Sequence, residues 1–70
     1  MRKPDPERIY QARRAANVRR LVLTHRLDDL DAEQWVAAWE REAASRGLVR
    51  DADTFWEEGQ VWIAKGRRMK

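Results

Sequence analysis

The stretch DAEQWVAAWEREAASRGL, residues 31–48, decides the fold. Asp31 is a helix-capping residue, and Gln34 follows three positions on, the spacing of a capping box. Leu30 precedes that cap and Trp35 stands four residues beyond it, the spacing of a hydrophobic staple. Trp35, Val36, Trp39 and Ala43 then recur at helical spacing and make one apolar stripe. Gly47 offers the left-handed residue that ends a helix, and Leu48 is placed to fold back over it. The spacing predicts a helix over 32–46, buried along its tryptophans.

Toward the C-terminus, Thr54 and Glu57 repeat the capping-box spacing and open a predicted helix over 54–67. Phe55, Trp56, Gly59, Trp62, Ile63 and Gly66 fall on one face of it. Each glycine inside a helix costs about 1 kcal/mol of propensity. Their place on the apolar stripe therefore implies close approach by an indole or another helix. Glu57 and Glu58 at the start, with Lys65, Arg67 and Arg68 at the end, suit the helix dipole.

Toward the N-terminus, Asp5 caps a third predicted helix over 6–25, with Pro6 in its first turn and Glu7 at the positive dipole end. On a helical wheel Ile9, Ala12, Ala16 and Leu23 share one side, with Ala15, Val18 and Val22 beside them. Arg13, Asn17, Arg20 and Thr24 lie roughly opposite, and Arg14 sits at their edge. These spacings put the apolar group inward. Nothing reads as a strand: alternation is short and no hairpin turn pair occurs. The expectation is an all-α, small three-helix bundle over 6–25, 32–46 and 54–67.

Seventy residues allow one domain, here with short basic N- and C-terminal tails. A domain of this size hides only about 60% of its unfolded surface, so homodimer formation or docking on a partner would bury more. There is no cysteine, which excludes disulfides and thiolate metal sites. Leu21-Val22-Leu23 is the longest strongly apolar run, too short to span a membrane. Arg2 and Lys3 look like the start of a signal peptide, but Pro4, Asp5, Pro6 and Glu7 follow instead of an apolar run. A cytoplasmic protein is expected.

Charge is segregated along the chain. Residues 1–26 carry a net +6, residues 27–64 a net −7 and the last six +4. Arginines number 12 against three lysines, a ratio that GC-rich codons also produce. Two roles compete for the basic side chains. Arg13, Arg14 and Arg20, joined by Lys65, Arg67 and Arg68, would form a phosphate-binding surface whose affinity comes from counterion release. Alternatively helix 1 packs on the acidic middle, where Glu33, Glu40 and Glu42 await partners.

Catalytic constellations are missing their parts. His25 is the only histidine, and with Asp28, Asp29 and Asp31 it matches no known metal-ligand spacing. It fits better as a helix C-terminal residue, where imidazolium is favoured. Ser45, Thr24 and Thr54 lack a relay, and the adjacent Glu57 and Glu58 point about 100° apart on a helix. No enzyme, metal, cofactor or small-molecule substrate is expected. Trp35, Trp39 and Trp62 read as core. Trp56, the fourth tryptophan, is the one expected to show an edge outside, as a protein-binding anchor. A helix-turn-helix over helices 2 and 3 is excluded: the connection from Gly47 to Asp53 is long, and acidic residues crowd the start of the second helix.

Trp39-Glu40, Glu42-Ala43, Arg46-Gly47-Leu48, Phe55-Trp56, Gly59 and Trp62-Ile63 together resemble a pattern in short uncharacterised proteins of actinobacteria, their phages and plasmids. The resemblance covers about residues 31–63 and rests mostly on core, cap and turn positions. It implies a phage or mobile-element accessory protein, with no mechanism attached. The functional expectation is a non-enzymatic accessory protein that binds nucleic acid through helix 1 and the C-terminal tail. The alternative is a small regulator or inhibitor that binds a host protein through an exposed aromatic edge.

Overall fold

The computed structural model describes residues 5–50 and 52–68, and its regular structure consists of three helices. These are α1 (Pro6–His25), α2 (Asp29–Ser45) and α3 (Thr54–Arg68). The central α2 packs against both others, giving the three-helix bundle that the sequence predicts.

Asp5 begins α1 by accepting a hydrogen bond from the Glu7 amide at 3.0 Å, with Pro6 in the first turn. The helix ends at His25, and Arg26 takes a left-handed conformation with φ 54° and ψ 43°. That conformation costs a non-glycine residue roughly 1 kcal/mol. It reverses the chain within three residues and lets Leu27 pack on the core.

Because the turn is so short, α2 starts earlier than the capping signal indicates. Asp28 is the cap residue and makes no side-chain cap bond, while the Ala32 amide already bonds the Asp28 carbonyl at 2.9 Å. Asp31 therefore lies inside the first turn, where its charge meets the helix dipole rather than capping an amide. Leu30 is 68% exposed, so the predicted staple with Trp35 is not made. The other end agrees with the sequence. Gly47 has φ +70°, its amide bonds the Ala44 carbonyl at 3.1 Å, and the Leu48 amide bonds the Ala43 carbonyl at 3.0 Å. That is the Schellman pair of bonds, and Leu48 folds onto the core.

The core is wholly apolar among the described residues: Tyr10, Leu21, Ala32, Val36, Trp39, Ala43, Phe55, Trp56 and Ile63. Trp39 is fully buried at its centre, 5.5 Å from the Phe55 ring. Gly59 explains how α3 comes so close. A Cβ there would lie 2.5 Å from Trp39 Nε1, so only glycine leaves room for the indole. Gly66 does the same more loosely for Trp35, at 3.0 Å.

Two expectations fail at α1 and α3. The inward side of α1 is Tyr10, Arg14, Asn17, Val18 and Leu21, spaced four and three residues apart. Ile9 is 45% exposed and Leu23 71%, and Ala12, Ala15 and Ala16 are also outside. Only Val18 and Val22 of the predicted apolar group pack on the core. The reason is that two inward positions are polar and find partners there, while the large buried area comes from the Tyr10 ring. Trp56 is 7% exposed and stacks on Tyr10 at 5.6 Å, so it shows no edge to a partner.

Candidate nucleic-acid interface

Arg14 sits between α1 and α2 and uses both ends of its guanidinium. Its Nη1 reaches Glu33 Oε1 at 2.7 Å and Oε2 at 3.0 Å, while Nε bonds both Glu40 oxygens at 3.1 Å. Glu40 also accepts from the Tyr10 hydroxyl. The Glu33 hydrogen bond, opposed by burial and assisted by Glu40, holds the Arg14 pKa above its ordinary value. Asn17, one helical step further, accepts from Gln60 of α3 at 3.0 Å. Arg14 is thus occupied inside the bundle, as the structural alternative for the basic helix requires.

The outward face of α1 is different. At 100° per residue, Ile9, Ala12, Ala16 and Leu23 lie within about 60° of one another. Arg8 and Arg19 border that strip on one side, Arg13 and Arg20 on the other, and all four are exposed. Residues 8–27 contain no Asp or Glu, so α1 itself places no acidic side chain on this face, while Asp29 and Glu33 of α2 share a hollow with Ala16 and Arg19 at its edge. Arg13 makes a long contact of 3.6 Å with Asp53, a pair so exposed that it contributes little. Arg8, Arg19 and Arg20 make no ion pair among the described residues. Of the two acids at the Arg19 edge, Glu33 is already held by Arg14.

Lys65, Arg67 and Arg68 form the last turn of α3 and do not join this face. Arg67 lines a hollow with Leu27, Asp31, Gln34, Trp35 and Ala38, on the far side of α2. Lys65 lines a second groove with Arg46, Glu57, Glu58, Val61 and Trp62. These cations complement the negative end of α3 and the acidic start of α2. The sequence therefore singled out two separate basic surfaces as one.

Arg8 and Arg19 escaped the wheel, and Arg13 and Arg20, read there as roughly opposite the apolar side, in fact lie only about 40° and 20° from Ile9 and border it. The acid-free run was the signal that could have found them. His25 occupies the last turn of α1. Among the described residues no three His, Cys, Asp or Glu side chains come together as metal ligands, and no helix is long and apolar enough to cross a membrane. No known protein family, curated protein or solved structure matches the chain.

Proposed function

We propose that this chain is a non-enzymatic accessory protein that binds nucleic acid through the phosphate backbone, using the outward face of α1. The observation that carries the proposal is the acid-free run 8–27, folded so that Arg8, Arg13, Arg19 and Arg20 project together while Arg14 serves the fold. Lys65, Arg67 and Arg68 supply a secondary contact from another side. A cytoplasmic phage or mobile-element setting, implied by the resemblance, belongs to the same proposal.

Fluorescence anisotropy of labelled duplex, titrated from about 50 to about 200 mM salt, tests it. With four phosphate contacts the slope of log K against log salt is expected near −3.6, about −0.9 per contact. Reversing Arg13 and Arg20 to Glu should flatten that slope and abolish binding at the upper salt. Retained binding with an unchanged slope would remove Arg13 and Arg20, and with them the two-sided α1 face, from the interface.

A protein-binding regulator is the second reading, and one observation favours it. Val61 is 66% exposed beside Trp62 in the groove between α2 and α3. If that groove is the working surface, Val61→Glu removes a partner while the arginine reversals leave its capture unchanged.

A further inference from the structure

We propose that α1 docks lengthwise into the major groove of duplex DNA, its alanine strip facing the base edges and its two arginine rows reaching the two opposing backbones. This rests on the nucleic-acid reading and narrows it to one ligand and one docking geometry. The two rows stand about 120° apart around a cylinder about 10–12 Å across with its side chains. A B-form major groove is about 12 Å wide and admits one α-helix, so rows splayed in this way address both of its walls. A single row would need only one strand. Twenty residues of helix extend about 30 Å, a straight rod that follows the curving groove for only part of a turn.

The strip between the rows fits the groove floor. Ala12 and Ala16 allow the helix axis close to the bases, and Ile9 and Leu23 stand at the ends of the strip. None of these four carries a hydrogen-bonding group, so the only base feature they can read is the thymine methyl. Recognition is then tolerant of sequence, with a preference for A·T pairs that acts through that methyl.

Other ligands fit less well. Single strands are gripped by exposed aromatic platforms, and here Tyr10, Trp39, Phe55 and Trp56 are buried, while the half-buried Trp35 and Trp62 line hollows that contain no residue of α1. An A-form RNA duplex has a major groove too narrow for a helix. A second copy placed on this face through α1 would oppose four arginines to four more.

The test compares the intact protein on three duplexes of about 16 base pairs: A·T DNA with thymine, the same with uracil, and RNA. Uracil deletes only the major-groove methyl. Alongside it, Ala16→Leu adds bulk at an exposed position at the strip centre, with folding checked by circular dichroism and melting. Docking predicts that uracil weakens binding at least about three-fold, and Ala16→Leu at least about five-fold, roughly 1 kcal/mol. RNA should bind more weakly than either DNA. If thymine and uracil duplexes bind alike, or Ala16→Leu binds like the parent, groove docking is overturned while phosphate binding stands. Equal or tighter binding of RNA overturns it too. No binding to the thymine duplex at about 50 mM salt overturns both readings.

Discussion

Tyr10 is the only tyrosine and one of the most constrained side chains in the molecule. Its ring lies against Phe55 and Trp56, the Arg50 guanidinium covers it at 3.6 Å, and its hydroxyl donates to Glu40. Burial, then the Glu40 hydrogen bond and charge, push its pKa up to about 12, against the opposing pull of Arg50. The phenol is therefore more stable protonated in the folded chain than in the unfolded one. The associated stability is fully present below pH 10 and lost as pH rises from 10 through 12, about 3 kcal/mol in all. Phenolate absorbance reports this residue alone, so an alkaline titration should show a midpoint near 12 rather than 10. Tyr10→Phe should lower stability by about 1 kcal/mol near neutrality and remove the tyrosine part of the alkaline loss. Arg14→Met leaves Glu33 and Glu40 without their cation and should cost about 1–3 kcal/mol in denaturant unfolding. Adding Glu40→Gln should return part of that loss. No loss in Arg14→Met would mean that these ion pairs do not help hold α1 to α2. Tyr10's role was not legible in the sequence, and for Arg14 the reading of helix 1 packed on the acidic middle named Glu33 and Glu40 but not the arginine that meets them. An arginine on an inward stripe reads as surface until its carboxylates, 19 and 26 residues away, are seen to meet it.

At the scale of the element, legibility follows how local the physics is. The Gly47 stop needs only contacts between residues 43 and 48, and the sequence placed it correctly. The start of α2 depends on a three-residue reversal and on Leu27 finding the core, which no capping motif encodes. The face of α1 was misplaced for the same reason: its inward polar groups are satisfied by other helices, so its own hydrophobic pattern points outward. In α3 the glycines were legible as close approaches because they interrupt an otherwise apolar stripe. They should behave differently on substitution. Gly59→Ala gains up to about 1 kcal/mol of helix propensity. It also forces a methyl against a fully buried Trp39 indole whose Nε1, Cδ1 and Cε2 all stand within 2.9 Å. Overpacking of that kind costs about 1–3 kcal/mol, so the net change should be destabilising. At Gly66 the obstacle is the rim of the partly exposed Trp35, which has room to shift. There the two effects should nearly cancel. Thermal melts of both variants decide the matter. Equal effects would mean that the buried indole is no more rigid than the half-buried one.

At the scale of the whole molecule, the bundle is thinly held. A chain of 70 residues hides only about 60% of its unfolded surface on folding. The contact between α1 and α3 rests chiefly on Tyr10 against Phe55 and Trp56, and on the Asn17–Gln60 bond. A bundle with so little surplus burial should respond visibly to anything that binds its folded form alone. The proposed DNA face provides that case, because its arginines are brought to one side only when α1 is helical and seated on α2. Duplex present at about 100 times its Kd should then add about 2.7 kcal/mol to the apparent stability, enough to raise Tm by roughly 10–20 °C in a domain this small. The same duplex should leave a protein with Arg8, Arg13, Arg19 and Arg20 all reversed to Glu melting where it does alone. A shift that persists in the reversed protein would place the binding energy on the α3 end, at Lys65, Arg67 and Arg68. Because that end sits across α2 from the α1 face, the two outcomes separate one basic surface from the other in a single calorimetric comparison.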